Sequence, residues 1–177
     1  MCELETERLL LRRWRPEDRE PFFTINCEPE VVRYLTPRTR EQSDDMTFRI
    51  EQHFEDHGWG FWALEDKAQS KLIGLCGLST IDWKLPFTPA VEIGWRLSTP
   101  WQGKGYAREA AERVLSFAFD DLGLDRVVSF TVPDNRNSWG LMRRLGMRQV
   151  GEFRHPNLPM DHPLSQHVLY EIKRPMT

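Results

Sequence analysis

The sequence predicts an α/β domain in which helices cover a mixed β-sheet. Short segments that alternate apolar and polar residues are interspersed with longer segments whose apolar residues recur every three or four positions. Their order along the chain is a strand, a group of helices, a β-hairpin, then strand, helix, strand, helix and two closing strands. This order indicates a sheet of about six to seven strands and differs from that of an open doubly wound sheet.

The most regular helix of the first half is predicted at residues 40–57. Its apolar positions recur every three or four residues, which places them on one face, and glycines at 58 and 60 follow its end. That face consists of Met46, Ile50, Phe54 and His57. The other predicted elements of this half are a strand at 9–11 ahead of Pro16, short helices at 17–26 and 29–34, and a β-hairpin of strands 61–64 and 71–78.

The second half begins with a strand at Ala90–Leu97, in which Glu92, Gly94 and Arg96 alternate with apolar residues. One face of this strand is therefore apolar and the other is polar. A helix with a broad apolar stripe follows and extends to Leu122, where a glycine signals its end. The remaining predicted elements are a strand at 126–132, a helix capped by Asp134 or Asn135 that runs to Leu145, and closing strands at 147–153 and 166–172.

The composition predicts a single cytoplasmic domain spanning residues 1–177. Hydrophobic residues make up 40% of the chain and charged residues 29%, as in an ordinary globular protein. A formal net charge of −3 provides no basic surface, so we expect neither nucleic acid nor a membrane as a partner. The N-terminus lacks a signal-peptide pattern, and no apolar run is long enough to span a bilayer. The three cysteines lack ligand spacing, so no disulfide framework or metal site is expected.

The segment Gln102–Ala107 joins the strand at 90–97 to the following helix and is the most informative stretch of the chain. Gly103 and Gly105 allow the backbone to approach a bulky anion, and the helix N-terminus adds a partial positive charge. Backbone N–H groups here could therefore bind a diphosphate. A simple tight connection is the alternative interpretation. The glycine–lysine spacing of a P-loop is absent, so a nucleotide hydrolase is excluded.

Two motifs lie in the second half of the chain, each at the start of a predicted helix. They are Gln102-x-x-Gly105-x-Ala107, and Asn135 with Ser138 ahead of a helix that ends in Leu145-Gly146-Met147. Together with Glu5–Arg12 and Glu92–Trp95, they give the chain a resemblance to the GNAT superfamily of acetyl-CoA-dependent N-acetyltransferases. The RimJ/RimL-like branch is the most similar. The resemblance implies a GNAT-type fold with a central, mostly antiparallel, twisted sheet flanked by helices on both faces.

The resemblance also implies a co-substrate and a reaction. Acetyl-CoA would donate its acetyl group to a primary amine that attacks directly in a ternary complex, without a metal. The pyrophosphate would contact the backbone of residues 103–107, and the pantetheine arm would pair with the strand near Trp95–Leu97. Lys104 and Arg108 could add charge to the phosphates or remain solvated. The implied cofactor-binding residues are Trp95, Arg96, Leu97, Gln102, Gly103, Lys104, Gly105, Tyr106, Ala107, Arg108 and Asn135.

The candidate catalytic residues are Glu92, Asn135 and Ser138. An alkyl ammonium group, with a pKa of about 10, must lose a proton before it attacks, and Glu92 could accept that proton directly or through water. An exposed carboxylate or an internal ion pair is the alternative for Glu92. Strand N–H groups near residues 95–97 would stabilise the oxyanion. Asn135 is a helix cap and could also contact the cofactor.

Protonation of the leaving thiolate is less clearly assigned. Many members of the superfamily use a tyrosine for this step, but the corresponding residue here is Met142. Ser138 is the nearest hydroxyl that could donate a proton, although a serine at a helix start is often only a backbone partner. A non-catalytic acyl-CoA-binding or sensor domain therefore stays open as a second function.

The acceptor amine is not identified by the sequence. A protein N-terminus, an amino sugar, a polyamine and an antibiotic all remain open, and a homodimer is compatible with this branch. Aromatic residues could line the acceptor pocket or pack in the core, and a histidine could contact the acceptor. The aromatic residues are Trp59, Trp62, Trp83 and Phe87, and the histidines are His155, His162 and His167, whose spacing does not favour a metal site.

Overall fold

The computed structural model describes residues 3–175, which contain eight β-strands and five α-helices. The strands are β1 (Leu4–Glu5), β2 (Leu9–Arg12), β3 (Phe61–Asp66), β4 (Lys71–Ile81), β5 (Ala90–Leu97), β6 (Arg126–Thr131), β7 (Arg148–Arg154) and β8 (Gln166–Lys173). The helices are α1 (Arg19–Cys27), α2 (Pro29–Val32), α3 (Arg40–His57), α4 (Tyr106–Ser116) and α5 (Arg136–Arg144). Short 3₁₀ turns occupy Pro16–Asp18 and Thr99–Trp101, and a π-helical turn at Phe117–Asp121 continues α4.

The described chain divides into two compact units, and the boundaries fall within β4, β5 and α4. In the first unit, residues 3–79 and 94–114, strands β1 to β4 are antiparallel neighbours. In the second unit, residues 80–93 and 115–175, β5 pairs in parallel with β6, whereas β8 is antiparallel to both β6 and β7. The hydrogen-bonded strand order is β1-β2-β3-β4-β5-β6-β8-β7.

This arrangement confirms the predicted fold class, a mixed and mostly antiparallel sheet flanked by helices. The described sheet has one strand more than the upper limit expected, because Leu4 and Glu5 pair with Leu11 and Leu10 of β2. A strand of two residues is too short to show an alternating pattern, so only its long-range pairing reveals it. Among residues 3–175, no helix is long and apolar enough to cross a membrane.

Helix α3 has the predicted bounds because both of its ends carry strong local signals. The Thr39 hydroxyl accepts a hydrogen bond from the Gln42 backbone N–H, and the Gln42 side chain accepts one from the Thr39 backbone in a capping box. At the other end, Gly58 adopts a left-handed conformation with φ of 79°. The bounds of this helix therefore follow from residues adjacent in the sequence.

The buried face of α3 differs from the predicted one. Ile50 and Phe54 are buried as expected, but His57 is exposed and Met46 is only half-buried. The buried residues of the helix are Ser43, Thr47, Ile50 and Phe54. The prediction followed the spacing of Met46, Ile50, Phe54 and His57, whereas in the structure the Asn26 side-chain amide of α1 donates a 2.9 Å hydrogen bond to Ser43 Oγ within the protein interior. This polar pair allows the face to rotate away from Met46 and His57.

Candidate active site

The turn between β5 and α4 has the backbone geometry of an anion-binding loop. Gly103 and Gly105 have φ values of 72° and 87°, in the left-handed region that residues with a Cβ rarely adopt. The backbone N–H groups of residues 103–107 have no hydrogen-bond acceptor within residues 3–175. They stand at the N-terminus of α4, where the helix dipole favours negative charge. The turn therefore presents unpaired donors rather than a closed connection.

Side-chain hydrogen bonds hold both sides of this turn. Gln102 Nε2 donates to the carbonyl oxygen of Leu97 at 2.8 Å and links the turn to the end of β5. The Glu28 carboxylate accepts hydrogen bonds from Ser98 Oγ and the Thr99 backbone N–H, both at 2.6 Å. Burial raises the pKa of Glu28, but these hydrogen bonds outweigh it, so the pKa is lowered and the carboxylate stays charged. Gln102, the first residue of the motif, is thus a structural support of the turn.

The segment before β2 braces the start of α4 through Arg8. The Arg8 Nη2 atom forms a 2.6 Å ion pair with Glu109, and its Nη1 donates to the Lys104 carbonyl oxygen at 3.0 Å. The Arg8 guanidinium also stacks 4.0 Å from the centre of the Tyr106 ring. Thr6 Oγ1 donates a further 2.6 Å hydrogen bond to Glu109. Sequence reasoning did not assign these contacts, although the Glu5–Arg12 segment was part of the resemblance.

The remaining side chains of the turn differ in availability. Lys104 is exposed and has no ion pair within residues 3–175, so it could approach a bound phosphate. Arg108 instead pairs with Glu112 one helical turn later, at 2.7 Å. The Tyr106 ring packs at 5.1 Å from Trp101, and Ala107 is half-buried at the helix start. Of the two basic residues proposed near the phosphates, only Lys104 is unpaired in the described chain.

Strand β5 approaches β4 very closely beside the turn. A Cβ atom added to Gly74 would lie 2.0 Å from the carbonyl oxygen of Arg96, so only glycine fits at this position. Beyond it, the Ser98 backbone N–H donates to the Ile73 carbonyl oxygen at 2.9 Å. Leu97 is buried and Trp95 is half-buried. The backbone of Trp95–Leu97, which leads into the turn, is therefore held in place by its contact with β4.

Glu92 lies in the part of β5 that belongs to the second unit, opposite Val128 of β6. Its side chain is half-buried, and its carboxylate has no hydrogen bond or ion pair within residues 3–175. Burial raises the pKa of Glu92 to about 7. Neither alternative considered for this residue, an exposed carboxylate or an internal ion pair, describes its surroundings.

Asn135 and Ser138 lie at the start of α5, also in the second unit. Asn135 caps the helix, because its Oδ1 accepts a 3.3 Å hydrogen bond from the Ser138 backbone N–H. Its Nδ2 donates to Thr131 Oγ1 at 3.0 Å, so both ends of the amide are in use. The Ser138 hydroxyl is half-buried and has no hydrogen bond within residues 3–175. Met142 is buried, with 1% of its surface exposed, and is a core residue.

The aromatic residues proposed for an acceptor pocket fall into two groups. Trp59 and Trp62 are buried in the core of the first unit. Trp83 and Phe87 are partly buried in the second unit, packed against a core cluster that includes Phe153. The His155 and His167 rings lie 5.2 Å apart beside that cluster, and burial lowers the pKa of both. Among residues 3–175, no three potential metal ligands lie together.

Comparison with solved structures first defines the class of protein. The chain superposes on an acetyltransferase from Agrobacterium tumefaciens with a TM-score of 0.79 and 25% sequence identity. The matched region covers 98% of this chain and 95% of that protein. The fold is therefore that of an acetyltransferase along nearly its whole length.

The family follows from the sequence. The acetyltransferase (GNAT) domain matches residues 8–148, and the chain belongs to this family of acyltransferase enzymes. It is 31% identical over 157 residues to the "uncharacterized N-acetyltransferase p20" of Bacillus licheniformis, covering 87% of this chain and 86% of that one. It is 26% identical over 181 residues to the "[ribosomal protein uS5]-alanine N-acetyltransferase" of Escherichia coli, covering 97% and 91%. The similarity to the RimJ/RimL-like branch is confirmed.

Proposed function

We propose that residues 1–177 form a single N-acetyltransferase domain that transfers the acetyl group of acetyl-CoA to a primary amine by direct attack in a ternary complex. The observation that carries this proposal is the row of backbone N–H groups at residues 103–107, at the N-terminus of α4, which have no hydrogen-bond acceptor within residues 3–175. Unpaired donors at a helix N-terminus fit a diphosphate, the group that links the two halves of coenzyme A. Membership of the GNAT family supports the same co-substrate.

The residues around the turn would divide the binding of the co-substrate between them. The backbone of residues 103–107 would hold the diphosphate, with the exposed Lys104 side chain adding positive charge. The backbone of Trp95–Leu97 would hold the extended arm, since it leads directly into the turn. Acetyl-CoA supplies an activated thioester when bound. Backbone N–H groups of this strand would stabilise the oxyanion that forms during acyl transfer.

Glu92 would act as the general base. An amine acceptor has a pKa of about 10 and is protonated at neutral pH, so it must lose a proton before it attacks. A carboxylate with a pKa of about 7 is a better proton acceptor than an ordinary glutamate and is still partly ionised at neutral pH. Its partial exposure allows the proton to pass directly or through water.

Asn135 and Ser138 would contribute from the start of α5. Asn135 keeps this helix start in place through its cap and its hydrogen bond to Thr131. Ser138, whose hydroxyl has no partner within residues 3–175, would donate a hydrogen bond to the departing thiolate directly or through water, and the thiolate would then take up a proton from solvent. A thiol with a pKa of about 8.5 is a tolerable leaving group, so this role requires only modest assistance.

Two substitutions test the proposal by separating binding from turnover. Gly105→Val places a branched side chain at a φ of 87°, and its Cβ would lie 3.3 Å from Arg8 Nη2. We expect it to weaken coenzyme A binding about tenfold or more, measured by isothermal titration calorimetry. Glu92→Gln should leave this affinity within about twofold and lower turnover at neutral pH by about hundredfold, measured by thiol release with a panel of amines.

The matched control for Glu92 is Glu152→Gln, which changes an exposed glutamate of strand β7. It should alter neither affinity nor turnover. Unchanged turnover in Glu92→Gln would remove Glu92 from the role of base. Unchanged coenzyme A affinity in a folded Gly105→Val variant would remove the turn from the role of diphosphate site.

A further inference from the structure

Three arginines of the first unit, exposed Arg49 and half-buried Arg38 and Arg96, have no carboxylate partner within residues 3–175. Arg38 precedes α3, Arg49 lies on α3 and Arg96 lies on β5. Burial, and then the charge of Arg49, lower the pKa of Arg38. Burial, and then the charge of Arg38, lower the pKa of Arg96 to about 10. We call these residues the arginine cluster; no member has an ion pair within residues 3–175.

The guanidinium of Arg96 is held by one edge. Its Nη1 donates to Asn26 Oδ1 and lies 3.8 Å from Met46 Sδ. Asn26 is itself fixed, because its Nδ2 donates to buried Ser43. The Arg96 side chain also lies over the Phe22 ring, 5.9 Å from its centre. These contacts orient the guanidinium without neutralising its charge.

The other edge of the same guanidinium is not satisfied. Arg96 Nε is fully buried and has no hydrogen-bond partner, the sole such buried side-chain nitrogen or oxygen found within residues 3–175. Nη2, on the same edge, also has no partner in the described chain. Nε and Nη2 together form the two-donor fork that binds a carboxylate through parallel hydrogen bonds. One edge of the Arg96 guanidinium is therefore held by hydrogen bonding, and the other edge has no hydrogen-bond partner within residues 3–175.

Other arginines of the first unit form ion pairs with carboxylates. Buried Arg12 forms 2.6 Å ion pairs with both Asp18 and Glu65. Arg13 pairs with Glu51 at 2.5 Å. Buried charges usually require a partner because the loss of hydration is otherwise uncompensated. Arg96 departs from this pattern, because its buried Nε has no hydrogen-bond partner and its guanidinium has no carboxylate partner within residues 3–175.

We infer that the arginine cluster binds a carboxylate of the acceptor, so that the acceptor is a small primary amine that also carries a carboxylate, as amino acids do. This inference rests on the proposed function. Arg96 stands between Trp95 and Leu97, the residues proposed to hold the arm of the co-substrate, so its side chain starts from the strand beside the reacting thioester. Three adjacent positive charges would repel a polyamine. The same charges would attract an anionic acceptor.

The test compares amines that differ only in the carboxylate. Acetylation by the full-length protein is measured for a panel of L-amino acids, their amides and the corresponding decarboxylated amines, with spermidine as a polycation. We expect the best amino acid to have a kcat/KM about ten- to hundredfold above that of its amide. Arg96→Gln and Arg38→Gln should each raise KM for the amino acid by a similar factor. Arg38→Gln, which changes a residue outside those proposed to bind the co-substrate, should also leave kinetics with the amide nearly unchanged.

The matched control is Arg33→Gln, which removes the same charge from an exposed arginine that pairs with Glu30. It should behave as the wild type. Arg38→Gln provides the same information if Arg96→Gln fails to fold, because Arg38 precedes α3 and is not part of the sheet. Equal turnover of acids and amides, or a preference of the wild type for spermidine over the amino acids, would overturn the inference while leaving the N-acetyltransferase proposal intact.

Two further measurements identify the anion that the arginine cluster binds. Nitrogen-15 NMR of the arginine Nε–H groups reports binding without turnover: the Arg96 signal should shift with the amino acid and not with its amide. If that shift occurs but no amine is acetylated, the anion site stands and the proposed function fails. If Arg38→Gln weakens coenzyme A but not dephospho-coenzyme A, the cluster binds a phosphate of the co-substrate, and the acceptor inference is wrong.

Discussion

Glu92→Gln should stabilise the protein at neutral pH even though it impairs the proposed reaction. The Glu92 carboxylate has no hydrogen bond or ion pair within residues 3–175, and burial raises its pKa from 4.5 to about 7. Glutamine has nearly the same shape but no charge to desolvate. The substitution therefore removes the cost of holding an ion at this position, a cost typical of sites that trade stability for activity.

The magnitude follows from the linkage between protonation and folding. Below pH 4.5, Glu92 is protonated in both the folded and unfolded states and contributes no difference. Between pH 4.5 and about 7, the unfolded chain releases the proton while the folded protein retains it, so stability falls as pH rises. Above that range the loss is complete, about 3.5 kcal/mol for a pKa rise of about 2.5 at about 1.4 kcal/mol per pKa unit. Because Glu92 keeps some contact with solvent, we expect about 1–3 kcal/mol.

Urea denaturation of the wild type and Glu92→Gln from about pH 5 to about pH 8 measures this effect. The difference in free energy of unfolding between the two proteins should be smallest at the acidic end and reach a plateau above about pH 7. Subtraction cancels the titration of all other groups. A constant difference for Glu92→Gln across this range would refute the reasoning, as would a kcat that does not rise through about pH 7 in the wild type.

Three further substitutions test contacts around the site. Gly74→Ala should destabilise the protein by about 3 kcal/mol because its Cβ would lie 2.0 Å from the Arg96 carbonyl oxygen. The control Gly151→Ala, whose Cβ would lie in open space, should cost much less. Equal losses of stability in urea denaturation would contradict the close approach. Glu109→Gln should cost about 1–2 kcal/mol at neutral pH. That loss should shrink in acid, because hydrogen bonds from Thr6 and Arg8 outweigh burial and lower the pKa of Glu109; a loss independent of pH would contradict the pairing. Asn135→Ala should destabilise the protein by about 1 kcal/mol through loss of the helix cap and so lower its Tm. An unchanged Tm in calorimetry would argue against that cap.

Much of the fold could be predicted because its signals are local. The bounds of α3 follow from Thr39 and Gly58, and the position of the turn before α4 follows from two glycines between a strand and an apolar stripe. The cap of α5 at Asn135 is likewise predicted and observed. In each case, the residues that decide the conformation are neighbours in the chain. Hydrogen bonding and backbone sterics act over that range without help from the rest of the protein.

Long-range contacts account for what the sequence did not reveal. The ion pair between Arg8 and Glu109 joins residues 101 positions apart, and no sequence pattern near either residue predicts it. The hydrogen bond between Asn26 and Ser43, which accompanies the shift of the buried face of α3, is likewise not predicted by a local pattern. Such contacts depend on which elements pack together, and that choice is made by the whole chain.

The sequence by itself determined the kind of fold, the position of the glycine turn and the residue types available for chemistry. Only the tertiary structure decided their electrostatic state: that half-buried Glu92 has no hydrogen bond or ion pair within residues 3–175, and that the buried Nε of Arg96 has no hydrogen-bond partner there. The physical reason is that the properties of a charge depend on the atoms around it. Those atoms come from helices and strands far apart in the chain, so they are known only once the chain has folded.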